Sequence, residues 1–245
     1  MSKSNRGWKN WLLWAVAALV SCGTLGAARL TADEARPLRD YWVFLVTGKS
    51  AAGVPRDEIQ QKQKSHIENF GRLAGLKRLT IAGPMADPQK TLRGIVVVHA
   101  VDTNELAEHF VPDPYVSEGF MKVQANEIVH KQGAIALVGS ESMLEELRIV
   151  VWNRDTAEPG KSAISEADRL AHRNYWQELI KAGQAGVVCE FAADAPRFGV
   201  AVMKKEDDEK IRLLLDTDPL VKARLIEYQV MPQFLAKGAV PFSKM

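Results

Sequence analysis

The chain of 245 residues has only two cysteines, Cys22 and Cys189. That is too few for a disulfide scaffold or a four-cysteine zinc site. It also lacks a charge excess. Its 32 Lys and Arg face 30 Asp and Glu, a formal +2, which excludes a strongly basic nucleic-acid binder as the first reading. His99, His109 and His130 show neither HxH nor HExxH spacing, so no metal centre is called for. Gly48-Lys49-Ser50 ends like a phosphate loop, but position 43 is Val where that loop needs Gly. No Ser sits in a nucleophile-elbow pattern. No metal or nucleotide cofactor is therefore expected. What remains is ordinary globular composition, 47% hydrophobic and 25% charged, which excludes disorder as the main state. The length allows one large or two small domains.

The N-terminus reads as an address. Lys3, Arg6 and Lys9 precede an apolar run from Trp11 to Val20, the order of a secretory signal. The run is short for a membrane span of about 20 residues. Leu19-Val20-Ser21-Cys22 resembles the lipobox of bacterial lipoproteins. That resemblance implies acylation of Cys22 and a stable anchor through several chains. Two other outcomes stay open: cleavage after Leu25-Gly26-Ala27, or an uncleaved signal anchor extending to Ala28. Losing residues 1–21 removes three cations and no anion, leaving a net charge of −1. The basicity thus belongs to the targeting segment, and a nucleic-acid partner is not expected. Cys189, among Val187, Val188 and Phe191, reads as a small buried apolar residue.

Beyond a linker (22–40) the chain repeats itself. Tyr41–Thr47 matches Leu147–Asn153, and Ser65–Phe70 matches Ala171–Trp176, both at an offset of 106. Arg93–Val98 matches Phe198–Met203, and Pro112–Val116 matches Thr217–Val221, both at 105. Each unit reads as β-α-β-β-α-β. In the first (41–129) the strands are 41–47, 78–83, 94–101 and 119–129, with helices over 56–75 and 103–111. Thr103 is the expected N-cap, and Asp113-Pro114 the stop. In the second (147–234) the elements are 147–153, 163–182, 185–191, 198–204, 206–215 and 223–231. Residues 130–146 form a connector and 235–245 a tail. The mixed charges of 204–210 read as a solvated helix start.

This order is a ferredoxin-like split βαβ, an α+β class. Its helices cover one face of each sheet, so the other face needs burial. Two copies in one chain predict that sheet packs on sheet, giving a pseudo-dimeric α+β barrel in a monomer. Trp42, Val96 and Val98 are candidates for its buried strand positions.

Several residues carry a family resemblance. They are His66 in the first helix, Ala82-Gly83-Pro84 with Asp87, Gly94, Asp113-Pro114-Tyr115-Val116 and Gly119. Unit 2 keeps His172, Gly199 and Asp218-Pro219-Leu220-Val221, but has Cys189-Glu190 for Gly-Pro and Arg224 for Gly119. Each unit resembles the YCII-related family of dimeric α+β barrels. The resemblance implies a site formed by His66 with Asp113 and by His172 with Asp218, unit 1 keeping more of the pattern. It also implies lyase or isomerase chemistry on a small organic substrate in a cleft between helix and sheet. There an imidazole would shuttle a proton while a carboxylate fixes its tautomer.

A plainer reading stands beside it. His66 lies on the apolar helix face with Ile59, Phe70 and Leu73. A histidine there serves equally as a core residue bonded to an Asp-Pro turn. Duplication repeats packing and catalysis alike. The sequence thus leaves an acid/base enzyme and a non-catalytic ligand-binding or interaction module of the cell envelope both open.

Overall fold

The computed structural model describes residues 36–138, 143–154 and 164–243. The expected signal segment (1–21), Cys22 and most of the expected linker (22–40) lie outside the described residues. The first repeat comprises β1 (Arg39–Thr47), α1 (Arg56–Gly75), β2 (Leu79–Pro84), β3 (Leu92–Ala100), α2 (Thr103–Phe110), α3 (Pro114–Ser117) and β4 (Met121–Gly133). The second comprises β5 (Leu144–Arg154), α4 (Glu166–Lys181), β6 (Ala185–Phe191), β7 (Arg197–Met203), α5 (Asp208–Leu215), α6 (Pro219–Lys222) and β8 (Ile226–Ala236).

All pairings are antiparallel, in the order β2-β3-β1-β4-β6-β7-β5-β8. Two four-stranded sheets, 2-3-1-4 and 6-7-5-8, thus join where β4 meets β6. β4 pairs with β1 from Met121 to Glu127, then with β6 from Ile128 to Gly133. The opposite seam is thinner. There Met85 bridges Gln233, and the Ala86 amide donates to the Pro232 carbonyl at 3.0 Å. The buried Gln233 amide adds a bond to the Pro84 carbonyl at 3.0 Å. A side chain at position 83 would collide with the Phe234 carbonyl, so Gly83 lets the two backbones approach. The chain is an α+β protein of two ferredoxin-like units closed as a pseudo-dimeric barrel.

Strand alternation sorts the core into three layers. Trp42, Phe44, Ile95 and Val97 face Ile149, Val151, Val200 and Val202 inside the barrel. Tyr41, Val43, Val96 and Val98 turn outward under α1 and α2, against Leu73, Leu106 and Phe110. Val150, Trp152 and Ala201 meet Trp176, Ile211 and Leu215 on the other side. Trp42, Val96 and Val98 are fully buried, though on opposite faces of one sheet. Each side chain so buried contributes about 1.5–3 kcal/mol. Cys189 lies inside the barrel, its thiol pushed up to about 12 by burial.

Several local expectations need correction. The N-cap of α2 is Asp102, whose carboxylate accepts from the Asn104 and Glu105 amides, with Thr103 already helical. Asp113-Pro114 and Asp218-Pro219 each start a further short helix, because Asp caps it and Pro fits its first turn. The 130–146 connector shrinks to 134–143. Polar His130, Lys131 and Gln132 disguise a strand end whose backbone pairs with β6.

Two positions give a direct test of this backbone account. Gly199 faces the Cys189 carbonyl so closely that a Cβ would collide with it. Gly199→Ala should cost roughly 1–3 kcal/mol in urea denaturation. Arg224 replaces Gly119 at the same left-handed turn, with φ 56° against 80°. Arg224→Gly removes about 1–2 kcal/mol of Cβ strain against about 0.5–1 kcal/mol of glycine entropy. It should therefore be neutral to slightly stabilising. A loss above 1 kcal/mol at 224, or none at 199, contradicts this reading.

Candidate functional site

The repeated helix–sheet interface brings each predicted pair together. His66 projects from α1, and Asp113 caps α3. The His66 Nδ1 lies 2.6 Å from Asp113 Oδ2, while Oδ1 accepts from the Tyr115 amide at 2.9 Å. The imidazole meets the rings of Phe70 and Tyr115 edge-on, at centroid separations of 4.3 and 5.3 Å. Asp113 is fully buried, and the His66 side chain keeps 8% exposure.

Unit 2 repeats the device with more partners. His172 Nδ1 is hydrogen-bonded to Asp218 Oδ1 at 3.0 Å and lies 2.8 Å from Oδ2. The same oxygen accepts from Trp176 Nε1 at 2.7 Å, and Oδ1 accepts from the Leu220 amide at 2.9 Å. Both residues are fully buried. The His172 ring sits edge-on to Trp152 at 5.0 Å and Phe198 at 5.4 Å. In both units the carboxylate caps a short helix and ties it to a long one. A carboxylate accepts only, so it holds the proton on Nδ1 and turns Nε2 outward from the pair as an acceptor. Nε2 of His172 is buried and has no hydrogen-bond partner among the described residues.

The expected cleft between helix and sheet is filled by these aromatic rings. The grooves elsewhere, of about 360 and 440 Å³, are lined by 38–40 with 127–131 and by Val221, Arg224, Ile226, Glu227 and Tyr228. Neither reaches a His/Asp pair. The other histidines are apart from both pairs or at their edge. His99 bonds Asp40 at 2.8 Å and Thr80 at 2.6 Å, and His109 bonds the His99 carbonyl at 3.1 Å. His130 lies on β4 opposite Glu190.

Sequence reasoning favoured unit 1 and missed the charges around His172. Glu190, 1% exposed, receives Arg173 at 2.6 and 2.9 Å and Arg169 at 3.0 Å. Burial pushes its carboxyl up, but Arg173 foremost, with His172 and Arg169, more than offsets this and holds it below the ordinary glutamate value. His130 is lowered, first by burial and then by Arg173. The available signal was an acidic residue inside the apolar strand Val187-Val188-Cys189-Glu190-Phe191. Arg169 and Arg173, four apart, share its helix face.

The linkage at Glu190 gives a signed prediction. A carboxyl depressed in the folded state adds stability fully above its unfolded value, near 4.3, and loses it as pH falls through the folded value. Glu190→Gln should cost about 2–4 kcal/mol at pH 7. The gap from wild type should narrow as urea denaturation is repeated toward pH 3. A gap independent of pH would contradict the ion-pair account.

No protein-family profile matches this chain, and no curated protein sequence matches it. Among solved structures, a "putative monooxygenase" from Lactobacillus acidophilus NCFM is similar at a TM-score of 0.50. The identity is 10%, over 85% of this chain and 100% of that one. A mutant chlorite dismutase from Candidatus Nitrospira defluvii is similar at 0.51, with 9% identity over 80% of this chain and 91% of its own. At such identities the likeness is one of architecture. It places the chain within the dimeric α+β barrel fold, here with both halves in a single polypeptide.

Proposed function

We propose that the chain is an exported protein of the cell envelope, anchored through Cys22, whose two YCII-like units serve to bind a small organic molecule. The address rests on Lys3, Arg6 and Lys9, the apolar run and the lipobox-like Leu19-Val20-Ser21-Cys22. Among the described residues no helix is long and apolar enough to cross a membrane. The observation that carries the ligand reading is the buried, unpartnered Nε2 of His172. An unsatisfied buried polar atom costs about 1–3 kcal/mol, and a ligand donor or an ordered water relieves that cost. Asp218 keeps the ring oriented for such an encounter.

A second reading, acid/base turnover, is favoured in unit 1. There the 2.6 Å His66–Asp113 contact accompanies an imidazole that retains some exposure. His66 would be the acid/base and Asp113 its orienting residue. Among the described residues no further acid or base stands in hydrogen-bond contact with this imidazole, so binding is the better supported of the two.

Two measurements test these readings. Acyl labelling in the native host should mark wild type and leave Cys22→Ser unmarked, whereas equal labelling removes the anchor. For the pairs, His172→Ala exposes more loss than His66→Ala. It should cost about 3–5 kcal/mol against about 1–3 kcal/mol, because the His172 ring is wholly enclosed by Trp152, Trp176 and Phe198, whereas the His66 side chain keeps 8% exposure. A metabolite screen should yield a compound that stabilises wild type and loses its effect in His172→Gln. Compounds acting equally on both proteins would return the pair to a purely structural role.

A further inference from the structure

Four neighbouring strands of unit 1, in the order β2, β3, β1 and β4, each place one polar side chain in a row beside the start of β1. They are Thr80, His99, Asp40 and Lys131. Lys131 Nζ donates to Asp40 Oδ2 at 2.8 Å, and Asp40 Oδ1 lies 2.8 Å from His99 Nδ1. His99 Nε2 in turn lies 2.6 Å from Thr80 Oγ1. Among the described residues no other histidine has a carboxylate on one nitrogen and a hydroxyl on the other.

The direction of these bonds follows from Asp40. A carboxylate only accepts, so it keeps the imidazole proton on Nδ1. Nε2 is then an acceptor, and the Thr80 hydroxyl donates to it. Burial pushes the Asp40 carboxyl up, but Lys131 and His99 more than offset this and hold it below the ordinary aspartate value. It therefore stays an orienting anion. A hydroxyl, an imidazole that takes its proton and a carboxylate that orients the imidazole are the parts of a nucleophilic acyl-transfer site. Both contacts are within hydrogen-bond reach, as that chemistry needs.

The backbone aims the hydroxyl. β2 and β3 step out of register between Leu79 and Ile81, which leaves Thr80 as the extra residue of a bulge. Bulges re-aim side chains in this way. Unit 2 has the same step between Ala185 and Val187, with Gly186 and Lys204 at the places of Thr80 and His99. The bulge is common to both units, and the hydroxyl–imidazole pair belongs to unit 1 alone. Unlike His172, the row meets solvent. Thr80 is half-buried, and the side chains of His99 and Asp40 keep 23% and 31% exposure. A groove of about 360 Å³ begins at Asp40 and passes the exposed Leu38 and Val129.

We propose that Thr80, His99 and Asp40 form an acyl-transfer site that hydrolyses small carboxylic esters, the apolar part of the ester lying toward Leu38 and Val129. The site is separate from the His66 and His172 pairs and goes beyond the binding reading. Thr80 Oγ1 attacks the ester carbonyl carbon as its proton passes to His99 Nε2. The bond to the alcohol oxygen breaks, that oxygen takes the proton from Nε2, and the acyl group stays on Thr80. Water then attacks the acyl carbon and yields a proton to Nε2, which returns it to the departing Thr80 oxygen. The sum is an ester and water giving an acid and an alcohol. The Thr80 amide, outside the β2–β3 register, is the donor nearest in the chain to the developing oxyanion. Asp40 is a positioning residue, acting through His99.

The full-length chain is treated with a fluorophosphonate, whose fluoride is displaced by an activated hydroxyl, and the label is mapped by fragment mass spectrometry. Turnover of p-nitrophenyl acetate is followed alongside, with a melting curve for each variant. Wild type should carry the label on Thr80, and Thr80→Ser should keep it. His99→Gln should lose the label and roughly a hundredfold or more in kcat. Asp40→Asn should lower kcat with KM little changed, since Asp40 does not touch the ester. No label, a label only on other residues, or turnover in Thr80→Val equal to wild type overturns the proposal. So does a Thr80 label indifferent to His99→Gln, or an Asp40→Asn protein with undiminished kcat. Should Thr80→Val fail to fold, the wild-type label and its loss in His99→Gln still decide.

Discussion

The structure depends on the burial of the helix-free face of each four-stranded sheet. Helices on one side leave Trp42, Phe44, Ile95 and Val97 with no cover of their own, and likewise Ile149, Val151, Val200 and Val202. Facing the two sets against each other removes both from water. The hydrophobic term, at about 25 cal/mol per Å² of apolar surface, then works for both units at once. Much else follows from that contact. β4 outlasts its pairing with β1 so that it can serve β6, and Gln233 and Gly83 allow the second seam to close. Separate subunits would pay association entropy for the same interface, which duplication within one chain avoids.

Within this frame the Asp-Pro elements have a double role. Asp113 and Asp218 cap α3 and α6, and the same carboxylates hold the imidazoles of α1 and α4. One carboxylate thus sets the end of a short helix and the tautomer of a histidine on a long one. Symmetry ends there. Trp176 supplies Asp218 with an indole donor where unit 1 has Phe70, and Glu190 gathers arginines where unit 1 has Pro84. The shared parts hold the fold, and the divergent parts are where a binding specificity would be written.

Much of this was legible in the sequence. Apolar strands, the 105–106 offset and the cover needed by two open sheet faces together implied the barrel. The pairing of His66 with Asp113 and of His172 with Asp218 followed from the family resemblance. Less legible were features set by partners distant in the chain. His130, Lys131 and Gln132 look like a loop because the strand they extend belongs to the other unit's sheet. Thr103 looks like a cap until the neighbouring Asp102 wins the amides. Nothing in the sequence singles out Arg154, since only the fold sets it over Phe198 with Arg169. Glu190 stands in the sequence as a departure from Gly-Pro, but its burial beneath two arginines depends on how α4 lies on β6.

Native-state hydrogen exchange tests the central claim, that the two repeats form one cooperative barrel around a shared interior. The slowest amides of β1 and β3 and those of β5 and β7 should exchange through a common global opening. Their opening free energies should agree within about 1 kcal/mol and respond equally to urea. Persistent protection in β5 and β7 after β1 and β3 have fully exchanged, or the reverse, would show two independently folding units and contradict the account.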